Sequence, residues 1–262
     1  MRPQPSDGFV WVQAAGGPAL VCGPLRPLAD HLFTTRDWAL GSGLGSDDEW
    51  APVAGSVGVD LAHLVRLRQV HGAGVVVRRL GDPLPSGSRP DADIVVSNDP
   101  RVAIAIQTAD CVPLLIADSR TGAVAAAHGG WRGLAAGVPS AAVAALAREF
   151  NARPTDLVVA VGPSISAPAY EVGPDVAERF TGAGFDGDRL ARWFSDGDRE
   201  GRWQFDGWQA TADQLAAAGV PSHQIHIAGL CTAAYPSLFC SYRRDGKGAG
   251  RMAAAIRCRG DG

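Results

Sequence analysis

Gln107–Asp118 reads QTADCVPLLIAD, and it joins two apolar runs, VAIAI before it and VPLLIA within it, through an acidic residue and a cysteine. Runs of this length, rich in Val and Ile, read as buried strands set end to end. A carboxylate at such a join needs partners, because burying an unpaired charge is expensive. If strand geometry continues through the pair, successive side chains alternate, so Asp110 and Cys111 point to opposite faces. Asp110 then bonds backbone groups or a neighbouring arginine, or sits at a pocket rim. Pro113 has no N–H to give to a ladder and marks this strand as an edge or a bulge.

Working outward, strand signals recur at HLVRLRQVHG, GVVVRRL, DADIVVS, VAIAIQTADC, VPLLIAD and AVAAAHGG, all between residues 63 and 130. On the N-terminal side, SDDEWAPVAGSVG offers Ser46 as an N-cap with Glu49 three residues on, so a short helix is expected there. On the C-terminal side, PSAAVAALAREF is an alanine-rich helix ending at Asn151, ahead of Pro154. DLVVAVGPSIS follows as a strand and turn, then helices at GPDVAERFTGAG and DGWQATADQLAAAGV, the latter closed by Gly219, then strands QIHIAGL and RMAAAIRC. The elements are interspersed without regular βαβ alternation. The expected fold is therefore α/β in the α+β sense: one layered domain over 1–262, with mixed β-sheets flanked by helices. GDPLPSGSRPDAD separates strands expected to share a sheet, and FDGDRLARWFSDGDREGRW is a loop whose aromatic residues call for burial.

Of the 262 residues 46% are hydrophobic, enough for a sizeable core, and the net charge of −3 leaves no basic footprint for nucleic acid. No apolar run reaches the roughly 20 residues of a membrane helix. The first residues, MRPQPSDGFVWVQ, lack the basic-then-apolar layout of a secretory signal, and a cytoplasmic location is expected. Five scattered cysteines without a CxxC pair suit a reducing compartment. A small molecule or another protein is the expected partner.

Chemistry gathers at strand ends. His71 closes RLRQVHG, Cys111 follows VAIAIQTAD, and His128 ends AVAAAH. If the three strands share a sheet, their ends converge, and two imidazoles with one thiolate give three protein ligands and an open fourth position, the make-up of a catalytic zinc site. Taken singly, each residue also reads blandly, as a turn histidine or a small core cysteine. Their separations, 40 and 17 residues, fit no local ligand motif.

RLRQVHG, DADIVVS, TADCVPLLIAD, AAAHGGWRGLAAG, VGPSISAPAYEVG and CTAAYPSLFCSYRRDGKGAGR, in this order, resemble the laccase-domain or polyphenol oxidase family, also called peptidoglycan editing factor. The resemblance covers about residues 31 to 257 and implies a single α/β fold. It also implies His71, Cys111 and His128 as metal ligands, and purine nucleoside phosphorylase with adenosine deaminase activity. HLFTTR resembles the N-terminal family motif and adds Arg36; Gln69, Arg132 and Arg243 lie in the other matched stretches, and Ser164 of GPSIS could present its hydroxyl to an anion. Gly129 stands where alanine is usual and Cys240 where phenylalanine is common, and DGWQATADQL matches poorly.

Three classes stay in view. The first is a zinc-dependent enzyme acting on purine nucleosides and phosphate, with arginines gripping phosphate in a planar fork. In it Cys111, His128 and Asp110 are the candidate catalytic residues, and Arg36, Gln69, Arg132, Ser164 and Arg243 the substrate-binding ones. Tyr170 and Tyr242 could stack on a base. The second is a hydrolase of a peptidoglycan precursor with Cys111 as nucleophile and His128 as base. The third is a non-enzymatic binding protein. Copper polyphenol oxidation fits least, for the chain has six histidines, no HxH or HCH, and only Met1 and Met252 as axial candidates.

Overall fold

The computed structural model describes residues 2–41, 47–84 and 87–260. Its strands are, in chain order, β1 (Phe9–Ala14), β2 (Gly17–Cys22), β3 (Ala29–Thr34), β4 (Leu64–Arg66), β5 (Val75–Arg78), β6 (Ile94–Ser97), β7 (Ala103–Thr108), β8 (Val112–Asp118), β9 (Val124–Gly129), β10 (Leu157–Val161), β11 (Glu171–Val172), β12 (Phe194–Asp196), β13 (Trp203–Phe205), β14 (Ile225–Ile227) and β15 (Met252–Cys258). The helices are α1 (Asp47–Ser56), α2 (Trp131–Ala135), α3 (Val138–Phe150), α4 (Pro174–Gly182), α5 (Gly187–Trp193), α6 (Gly207–Ala217) and α7 (Tyr242–Asp245). Ser46, the expected cap of α1, lies outside the described residues.

Two six-stranded mixed sheets face each other. The first runs β1-β2-β3-β15-β7-β4 and the second β14-β10-β8-β9-β6-β5, while β11-β13-β12 forms a small third sheet. The mixed-sheet α/β expectation holds. QTADCVPLLIAD, however, is not one continued strand. β7 pairs with β15 and β4 in the first sheet, β8 pairs with β10 and β9 in the second, and Ala109–Cys111 is the crossover. Asp110 carries a φ of 90°, so the alternation expected through it breaks at that residue.

The period of two sorts each central strand between layers. Ile104 and Ile106 of β7, Leu115 and Ala117 of β8 and Met252, Ala254 and Ile256 of β15 fill the space between the sheets. Their neighbours face outward: Ala103, Ala105, Ala253 and Ala255 take Trp50, Val53 and Ala54 of α1, while Leu114, Ile116, Ala125 and Ala127 take α3, α4 and α6. With both faces covered, β8 is buried throughout. Pro113 therefore does not mark an edge. It lies in a central strand, one residue beyond the last β10 pair, where only its carbonyl is used, by Gly162 N–H at 2.9 Å. Of the aromatic residues of the 185–203 segment, Trp193 is buried, while Phe185, Phe194 and Trp203 are partly buried against the core. That segment is not a loop but α5, β12 and β13, with the Trp193, Phe194 and Phe205 rings around Phe180.

Packing against Phe33 leaves no room for a side chain at Gly162. A Cβ there would come within 2.3 Å of the Phe33 ring, which lies between the sheets. Gly162→Ala is expected to destabilise the fold by about 1–3 kcal/mol through overpacking. A denaturant midpoint unchanged from wild type would refute this.

Candidate metal centre

The topology brings three side chains together. β4 runs parallel to β7, so the segment after β4 and the crossover after β7 leave the first sheet at the same end. β9 runs antiparallel to β8, with Pro113 opposite His128, so β9 finishes where β8 begins. His71, Cys111 and His128 consequently meet at the seam between the sheets, their ligand atoms all within 4.8 Å of one another. The ends converge although the strands do not share one sheet: β4 and β7 belong to the first, β9 to the second.

Asp93, just ahead of β6, organises the centre. It is buried, and its carboxylate accepts the backbone N–H groups of Val70 (3.2 Å), His71 (3.0 Å) and Gly72 (2.7 Å). The same carboxylate lies 2.8 Å from His128 Nδ1. The three N–H bonds hold His71 in a left-handed turn, φ 59°, a conformation uncommon for a residue other than glycine. The bond to Nδ1 fixes the His128 ring and leaves Nε2 for an ion. Burial works to raise the Asp93 pKa, but the His128 bond and the Gly72 and His71 N–H groups keep it below the ordinary aspartate value. Asp93 was not among the site residues expected from sequence; in DADIVVS it is one of two acids beside a strand, and nothing in the text distinguishes it from Asp91.

Burial likewise raises the Cys111 pKa, yet the charge of His128 and hydrogen bonds from both imidazoles bring it down to about 6. For His128, burial lowers the pKa, and the Cys111 charge and the Asp93 bond carry it up to about 9. These opposite shifts favour the thiolate–imidazolium form of the pair when no ion is bound, and loading an ion would displace the imidazolium proton. Gly130 makes room: a Cβ there would lie 2.9 Å from His71 Cδ2 and 3.0 Å from Cys111 Sγ. Two nitrogens and a sulfur, a preset thiolate, an oriented imidazole and this cleared space suit a borderline-soft divalent ion.

The centre opens into a cavity of about 590 Å³. Gln69, Arg132, Arg243, Tyr170 and Tyr242, all singled out from sequence, line it, and so does Arg251, which was not. Gln69 is engaged at both ends of its amide with the backbone of Gln107, at 2.8 Å each. Aromatic faces brace two guanidinium groups: Arg132 lies 4.2 Å from the Trp131 ring and Arg243 4.9 Å from that of Tyr170. Among the described residues none of Arg132, Arg243 and Arg251 has a salt bridge to a carboxylate. Burial and the Cys111 charge push the Tyr170 pKa upward, so its phenol stays neutral.

Two expected residues stand elsewhere. Arg36 is exposed after β3, its guanidinium on the Pro236 carbonyl, and does not line the cavity. Ser164 is fully buried in the turn after β10, where its hydroxyl donates to Gly162 O (3.3 Å) and accepts Trp208 Nε1–H (2.6 Å). All five cysteines are free.

A two-sheet α/β fold with a His–Cys–His centre at its seam is the class these features define. The chain belongs to the multi-copper polyphenol oxidoreductase laccase family, whose model matches residues 47–259. A Bacteroides thetaiotaomicron protein named purine nucleoside phosphorylase is 38% identical over 164 residues, 63% of this chain and 60% of that one. A Deinococcus radiodurans protein of the same name is 36% identical over 240 residues, 86% of this chain and 88% of its own. Adenosine deaminase RL5, from an unknown prokaryote, is 34% identical over 210 residues, 78% of each chain. The crystal structure of Bacillus licheniformis hypothetical protein YfiH superposes with a TM-score of 0.85 at 25% identity, covering 95% of this chain and 99% of that one. No helix among the described residues is long and apolar enough to cross a membrane.

Proposed function

We propose that this chain is a zinc-dependent purine nucleoside phosphorylase that also deaminates adenosine. The observation that carries the reading is the shared cavity: a His71–Cys111–His128 donor set and three guanidinium groups with no salt bridge to a carboxylate among the described residues open onto the same space. The names of the relatives above supply the substrate class. The ion would be held by those three residues and would supply a Lewis acid.

The chain's own residues do the rest. Arg132, Arg243 and Arg251 suit a phosphate, because a guanidinium not neutralised by an acid keeps its full attraction for an anion. Cation–π contact with Trp131 and Tyr170 restricts two of them, and Arg243 also gives Nη1–H to the Glu171 carbonyl, at 2.7 Å. Tyr242, half exposed, and Tyr170 offer ring faces to a purine. In phosphorolysis a phosphate oxygen bonds to C1′ as the bond from C1′ to the purine nitrogen breaks, giving free base and ribose 1-phosphate. Holding phosphate and nucleoside in one cavity supplies the proximity this needs. Copper oxidase chemistry fits poorly: His31 accepts the Cys22 N–H in the core and His63 pairs with Asp60, while His223 and His226 lie outside the cavity.

A second reading has its own support. Asp93, His128 and Cys111 also make the orienting acid, base and nucleophile of a cysteine hydrolase, which could act on a peptidoglycan precursor.

Hypoxanthine release from inosine that requires inorganic phosphate tests the first reading; phosphate-independent turnover would reject it. Arg132→Ala is expected to raise KM for phosphate by about 10- to 100-fold, the worth of one charge-assisted bond, with KM for inosine nearly unchanged. Equal rises in both constants would remove Arg132 from phosphate binding.

A further inference from the structure

Asp110 is adjacent in sequence to a candidate metal ligand and lines the cavity, which makes it an obvious candidate for proton transfer. Its surroundings are wrong for that task. Oδ1 accepts the Thr232 hydroxyl at 2.5 Å, and Oδ2 accepts both the Ser241 hydroxyl at 3.1 Å and the Arg243 backbone N–H at 2.7 Å. The carboxylate is met by three donors from its own chain and is buried. Its backbone carbonyl accepts a fourth, Ile165 N–H at 3.0 Å.

The donors come from segments far apart in sequence. Thr232 follows the stretch after β14, whereas Ser241 and Arg243 begin α7, where Ser241 also caps Arg244 N–H. Arg243 in turn sends its guanidinium to the Glu171 carbonyl, at 2.7 Å, and over Tyr170. One carboxylate therefore ties the crossover that carries Cys111 to the start of the helix that carries Arg243. We propose that Asp110 is a positioning residue, which sets the anion-gripping Arg243 in register with the metal centre and takes no part in proton transfer. The phosphate role of Arg243 rests on the reading above.

The conservative variant separates the two roles. Asn is tolerated at positive φ, as Asp is. Its amide oxygen can take the Ser241 and Arg243 donors while its NH₂ donates to a rotated Thr232 hydroxyl. Asp110→Ala loses every side-chain contact. In the metal-loaded full-length protein, Asp110→Ala is expected to raise KM for phosphate by about tenfold or more, as for loss of a hydrogen bond to a charged group. Asp110→Asn should restore it to within about threefold of wild type. The pH profile of kcat should keep its shape in both.

If Asp110→Asn is as impaired as Asp110→Ala and the profile loses a limb, Asp110 transfers a proton and the proposal is overturned. It also falls if Asp110→Ala leaves KM for phosphate at the wild-type value. Should Asp110→Ala fail to fold, Thr232→Val, which deletes one of the three donors, is expected to give a smaller rise in the same constant, and no rise would reject the proposal. Thermal shift with inorganic phosphate alone keeps this inference apart from the functional reading. A phosphate-dependent rise in Tm in wild type and Asp110→Asn, but not in Asp110→Ala, supports the inference even where no nucleoside is consumed. No rise in wild type rejects it.

Discussion

Replacing His71 by alanine is expected to lower phosphorolysis by about a thousandfold, equivalent to roughly 4 kcal/mol of transition-state stabilisation, and to leave the purified protein with little metal. Two ligands do not hold a divalent ion in the way three do, and the Lewis acid goes with it. The same change discriminates between the two catalytic readings. A cysteine hydrolase would use Cys111 and His128 with Asp93 behind them and would need His71 least, so retained activity after His71→Ala would reject the metal reading. Cys111 gives an independent check. In metal-free protein its alkylation rate should rise with a midpoint at about pH 6, below the ordinary thiol range, and added zinc should suppress the reaction. A midpoint near 8.5, the value of a free cysteine, would show that the imidazoles do not hold the thiolate.

Asp93→Ala should have the second-largest effect, on stability and metal together. The carboxylate serves three backbone N–H groups and His128 Nδ1, and removing it strands these donors in a buried site. At roughly 1–3 kcal/mol for each unsatisfied buried group, partly relieved by water, a loss of about 3–5 kcal/mol is expected. Metal affinity should fall about 10- to 100-fold, as for an outer partner of a ligating histidine. The sign of the pH dependence follows from the depressed pKa of Asp93. Its contribution to stability is fully present above the unfolded aspartate value of about 3.9 and is lost as pH falls through the lower folded value. Acid unfolding of Asp93→Ala should therefore lack part of the wild-type loss below about pH 4. Denaturant titration with chelator competition measures both effects, and wild-type values in either would contradict the assignment.

How much of this was legible in the sequence varies with the physical signal. The strands from Leu64 to Gly129 and the helices α3, α4 and α6 follow from apolar period and end signals, Asn151 and Gly219 among them. The hairpin of β1 and β2 was not among the expected strands, although Gly16–Gly17 between two apolar runs is its signal. Strands β11, β12 and β13 have two or three residues each, too few to show a period. The three donors were found through motifs, not spacing, because what joins them is the pairing of strands distant in sequence. Asp93 and Arg251 escaped for a related reason: an acid or a cation beside a strand says nothing of what the fold sets opposite it. Arg36 and Ser164 lie in matched motifs yet outside the cavity, so motif membership did not separate residues that build the turn from those that face the space.

The crossover at Ala109–Cys111 has a consequence for tolerance to change. Since the three donor atoms hang from separate leaves of the molecule, their mutual reach depends on how far apart those leaves stand, which is set by side chains such as Ile106, Leu115 and Phe33. An alteration deep in that filling, remote from any substrate, would be felt first as a weaker grip on the ion.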